Sequence, residues 1–165
     1  MSLDRQISET AQRVDDTLDL LLPREGQLAE AMRYAALAPG KRVRFFHIDG
    51  EHTQDHLSKD LALGFATLDA KGVLCLDDML HPGYPTLALT VDAFLRANPE
   101  LRVFCVIDRE DIVAAAKFMM CREEQVAFYT DALTQAFPQF VWPLGADFVT
   151  YKALVLAPEP RLAEI

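Results

Sequence analysis

The run FFHIDGEHTQDHLSKDLALGFATLDAKGVLCLDD, residues 45–78, decides how this chain is read. Phe45-Phe46-His47-Ile48 has the apolar, aromatic character of a strand, and Asp49-Gly50 ends it in a turn. Thr53 to Leu68 follows as a helix, with Leu57, Leu61, Leu63, Phe65 and Leu68 among its apolar residues. Asp69-Ala70-Lys71-Gly72 reads as a second turn. Val73 to Leu76 is then a buried strand that runs directly into Asp77-Asp78. A strand, a helix and a strand of these lengths form a right-handed βαβ unit.

The same rhythm continues downstream. A loop of turn formers, His81-Pro82-Gly83-Tyr84-Pro85, leads into a helix over Thr86 to Ala97. Leu101 to Ile107 and Val113 to Met120 read as strands, Glu123 to Phe137 as a helix, and Thr150 to Leu156 as a short final strand. The expectation is an α/β fold with a mainly parallel, partial Rossmann-like sheet. Upstream the pattern differs. Ile7, Ala11, Val14, Leu18, Leu21 and Leu22 recur at helical spacing until Pro23, and a second helix spans Glu25 to Ala38 before Pro39-Gly40. The chain therefore divides into a helical segment, 1–44, and an α/β segment, 45–165.

Charge follows that division. The formal net charge is -9, yet residues 1–44 hold seven acidic and seven basic side chains, so the segment from Phe45 carries all of it. Such a surface repels phosphate backbones and excludes a nucleic-acid partner. No uncharged apolar stretch of about 18 residues exists, which argues against a membrane span. The acidic N-terminus is unlike a signal peptide, and Cys75, Cys105 and Cys121 are odd in number without a CxxC spacing. Buried thiols in a cytoplasmic protein are expected.

Ligands of open α/β sheets bind beyond the carboxyl ends of the strands. Two strands here end in carboxylates, Ile48 in Asp49 and Leu76 in Asp77-Asp78. If those strands are neighbours, three like charges converge, an arrangement that a hard divalent cation such as Mg²⁺ would stabilise. Each aspartate is equally able to cap its own turn. His52 and His56 lie four apart but lack the glutamate of a zinc-protease motif.

Four ordered elements, Ile48-Asp49-Gly50-Glu51-His52, Asp60-Leu61, Lys71-Gly72 and Asp77-Asp78, resemble the pattern of class I S-adenosylmethionine (SAM)-dependent methyltransferases. The likeness is to the metal-dependent O-methyltransferases of small molecules. It implies a metal site at Asp49, Asp77 and Asp78, and His52 as a base or metal-adjacent residue on the side of a small-molecule acceptor. His81 is a second candidate base. The implied chemistry is transfer of a methyl group to an oxygen whose proton the base removes. The family's SAM site needs a Gly-rich turn after its first strand. All seven glycines here stand at least eight residues apart, so that motif is absent. The missing strand would also leave the Phe45–Ile48 edge unpaired, which favours a homo-oligomer.

The N-terminal segment resembles something else. Leu28-Ala29-Glu30-Ala31-Met32-Arg33-Tyr34-Ala35 followed by Gly40-Lys41-Arg42-Val43-Arg44 is similar to the start of trans-prenyl diphosphate synthases. The resemblance implies that Gly40, Lys41 and Arg42 bind the diphosphate of isopentenyl diphosphate. Asp77-Asp78-Met79-Leu80-His81 lacks the last aspartate of that family's D-D-x-x-D motif. Two resemblances meeting near Arg44 suggest a fused or truncated chain. The expected function is a methyltransferase-like half domain with a metal and acceptor site but no SAM site; whether the chain alone is an enzyme is left open, and an active one would be a SAM-dependent O-methyltransferase. The alternatives are a non-catalytic dimerisation module and a prenyl-synthase remnant that binds isopentenyl diphosphate.

Overall fold

A computed structural model describes residues 41–160 apart from Val113. The two helices expected before Pro39, and Gly40, lie outside these residues. The described elements run β1 (Val43–Ile48), α1 (Gln54–Thr67), β2 (Leu68–Met79), α2 (Thr86–Ala97), β3 (Leu101–Ile107), β4 (Ala116–Arg122), α3 (Val126–Ala136), β5 (Ala146–Phe148) and β6 (Tyr151–Leu156). The strands form one six-stranded sheet in the order β1-β2-β4-β3-β6-β5.

The class is α/β as expected, but the sheet is mixed. β1 pairs with β2 and β3 with β6 in parallel, whereas β2 with β4, β3 with β4, and β5 with β6 are antiparallel. The expectation of a mainly parallel sheet is therefore corrected. The reason is the connection from β3 to β4, eight residues without a helix. Parallel neighbours need a crossover of a dozen or more residues, so a short loop returns the chain antiparallel. β4 then sits between β2 and β3.

Thr53 caps α1 from extended backbone, its hydroxyl accepting from the His56 N–H at 3.4 Å. The Asp69–Gly72 turn survives inside a longer strand. Val43 pairs with Leu68 but Phe45 with Val73, so β2 carries three extra residues there. The Lys71 N–H donates to Asp69 Oδ1 at 2.8 Å within that bulge. Gly72 is required, because a Cβ on it would stand 2.7 Å from the Val43 carbonyl oxygen.

The main core gathers Leu57 and Leu61 of α1 and Leu87, Val91 and Leu95 of α2 with Leu74, Leu76, Val103, Phe118 and Met120 of the strands. A smaller cluster joins Phe104, Cys105 and Cys121 with the partly buried Val126, Tyr129 and Leu133 of α3. Central strands covered in this way read as unbroken apolar runs. The three cysteines are free and buried, and desolvation pushes Cys105 and Cys121 up to about 12.

Candidate metal centre

The parallel pairing of β1 and β2 sets Ile48 opposite Leu76. Asp49 and Asp77 therefore leave the sheet at the same level, at its carboxyl edge. A second irregularity separates Asp77 from Asp78. Leu76 pairs with Phe118 and Met79 with Ala116, so β2 spends three steps where β4 spends two. The extra residue is accommodated by Asp78 at φ 55. Aspartate tolerates this left-handed conformation better than most residues, and bulges of this kind re-aim side chains beside functional sites.

The two carboxylates consequently face different partners. Asp77 accepts from the Lys117 ammonium of β4 and from the Asp78 N–H at 2.9 Å, and His47 Nε2 lies 3.4 Å away. Its side chain is 13% exposed. Burial pushes the Asp77 carboxyl up, but the bonds from Lys117 and Asp78, with the charges of Lys117 and His47, outweigh it and hold the group below the ordinary value. Asp78 turns instead to His52, whose Nε2 is 2.7 Å from Asp78 Oδ2.

Asp49, His52 and Asp78 each offer a ligand atom, and these atoms lie within 4.8 Å of one another. Asp49 is exposed, and the other two are half-buried. The cleft around them is also lined by Gly50, Asp60, Asp77 and Leu87, and has room for the centre of about one ion or water (about 10 Å³). Two carboxylates and one imidazole suit a divalent cation. The nitrogen donor shifts the preference from Mg²⁺ toward Mn²⁺, Fe²⁺ or Zn²⁺. SAM is different. Gly50, Gly64, Gly72, Gly83 and Gly145 stand in separate elements or loops, so no glycine turn among the described residues could cradle the cofactor, and no step is assigned to it.

Of the residues expected at the metal, the structure brings Asp49 and Asp78 together and adds His52. It places Asp77 against Lys117 instead. His81 is half-buried in the loop before α2, its Nδ1 accepting from the Gly83 N–H at 3.0 Å. Lys41 and Arg42 are exposed, and Arg42 Nη1 donates to the Ala66 carbonyl at 2.7 Å, near the C-terminus of α1.

Sequence reasoning gave no role to Lys117, His47, Asp60 or Tyr84. Lys117 had a readable signal, a single charge within the apolar run from Val113 to Met120, which calls for a buried carboxylate partner. Asp60 approaches Gly50 so closely that a Cβ there would stand 3.1 Å from its Oδ2. Desolvation raises its pKa, and the nearby His56 charge opposes that shift. Tyr84 stacks on His52 with ring centroids 4.1 Å apart and planes 14° from parallel. Among the described residues no helix is long and apolar enough to cross a membrane. No protein-family model, no curated protein and no solved structure matches this chain.

Proposed function

We propose that the β1-α1-β2 unit carries a divalent-cation centre at Asp49, His52 and Asp78, in a domain related to the metal- and acceptor-binding half of class I SAM-dependent O-methyltransferases. The observation that carries this reading is the convergence of those three side chains within 4.8 Å beyond two parallel strand ends. The Asp49-Gly50-Glu51-His52 and Asp77-Asp78 motifs that prompted the methyltransferase comparison are the segments that supply them.

A bound cation would lower the pKa of a coordinated acceptor hydroxyl. The exposed Asp49 leaves open positions for that hydroxyl or for water. Asp78, through its 2.7 Å bond, orients the His52 imidazole beside that hydroxyl, where it could take the proton. The two roles of His52 separate experimentally. As a ligand, its replacement by Gln weakens cation binding; as a base alone, it leaves binding intact.

Isothermal titration with Mn²⁺ and with Mg²⁺ tests the centre. Expected is binding by the wild-type chain, tighter for Mn²⁺, that weakens at least about 10-fold in Asp49→Asn and in Asp78→Asn. Asp77→Asn is expected to change affinity by less than about 3-fold, because that side chain answers to Lys117. Binding that ignores Asp49 and Asp78, or no binding, overturns the reading.

A further inference from the structure

The loop between β2 and α2 builds a stack of three rings. The Tyr84 N–H donates to the His81 carbonyl at 3.0 Å, closing a tight turn over Pro82-Gly83, and the Tyr84 carbonyl accepts from the Leu87 N–H at 3.1 Å. These bonds pin the tyrosine backbone to the start of α2. Its ring, half-buried against the main core, has His52 on one side at 4.1 Å and His81 at 4.9 Å with an interplanar angle of 27°. Gly83 matters to this turn, since a Cβ on it would stand 3.1 Å from His81 Nδ1.

His52 lies on the short loop between β1 and α1. Among the described residues two contacts hold its imidazole. One is the edge bond from Nε2 to Asp78; the other is the face contact with Tyr84. A single bond to a ring edge still permits rotation about the bond and a flip at χ2. Face-to-face contact with an anchored ring fixes the plane of the imidazole, and within that plane the bond to Asp78 selects the edge that carries Nε2.

From this geometry we infer that Tyr84 is the positioning residue of the cation centre, holding His52 with Nε2 directed at Asp78 and Asp49. The inference rests on the proposed centre for its affinity readout, and on the rings alone for its spectroscopic one. The ring does the work, because among the described residues no hydrogen bond of the Tyr84 hydroxyl contributes to the stack. Tyr84→Phe therefore preserves positioning and Tyr84→Leu destroys it.

The test uses the full chain. Expected for Tyr84→Leu is Mn²⁺ binding weakened about 10-fold, the range typical when the support of a metal-ligating histidine is lost, with Tyr84→Phe within about twofold of wild type. In the metal-free chain, ¹⁵N-edited imidazole spectra are expected to show one dominant His52 tautomer in the wild type and in Tyr84→Phe. A mixture is expected in Tyr84→Leu. If wild type binds no Mn²⁺, the centre fails, and the spectra still decide the positioning role. A single unchanged tautomer in folded Tyr84→Leu overturns the inference, as does equal Mn²⁺ affinity in all three chains.

Discussion

Asp77 and Asp78 are chemically identical neighbours with different work, and the difference lies in what faces them. Asp77 has a cation of its own in Lys117, while Asp78 has an imidazole. Lys117→Met should leave a largely buried carboxylate with only the Asp78 amide and His47. A loss of about 1–2 kcal/mol at pH 7 is expected from urea unfolding, modest because Lys117 itself is 36% exposed. The folded pKa of Asp77 is depressed, so its contribution exists above the ordinary value of 3.8 and fades as pH falls below it. Wild type and Lys117→Met should therefore converge in stability in that acid range; a gap that persists unchanged would refute the assignment. Asp60 runs the other way. Its raised pKa makes ionisation costly to the fold, so Asp60→Asn should be at least as stable as wild type near neutrality and lose that advantage as pH drops toward 3.8. The acidic positions of the site were legible in the sequence at this scale. Their division of labour was not, since it depends on which strand lies beside β2.

At the scale of elements, α1 and the two strands flanking it stood out because their patterns are local: apolar residues at helical spacing and short apolar runs. The bulges were invisible, because an extra residue in a ladder leaves no mark on composition. The Asp69–Gly72 turn is an outpouching of β2 opposite β1, not a break between elements. The β5–β6 hairpin holds a misplaced residue of another kind. Val149 sits at φ 45, a conformation that a β-branched side chain resists. Val149→Gly should raise stability by about 1 kcal/mol, read as a higher midpoint in thermal unfolding. A lower midpoint would show that the side chain, 40% exposed, contributes more than the strain costs.

For the whole molecule, the described sheet begins at β1, whose outer side has no strand partner among the described residues and whose Phe45 is 59% exposed. Unpaired apolar edges recruit other chains. Sedimentation over a range of concentrations should show self-association that Phe45→Lys suppresses, and a strictly monomeric wild type would overturn the expectation of a homo-oligomer. The α/β class was legible from alternating patterns spread over more than a hundred residues. The strand order was not. It turned on one eight-residue link, and pairing partners far apart in sequence are written in packing.

The bulge at Asp77-Asp78 also makes the proposed centre sensitive to insertion and deletion in a way that substitutions do not reveal. Removing either aspartate would let Leu76 and Met79 step evenly along Phe118 and Ala116, giving a more regular ladder. The remaining acid would then have to serve either Lys117 or His52, since one side chain cannot face both. A shortened chain would gain order in its backbone and go blind at its cleft.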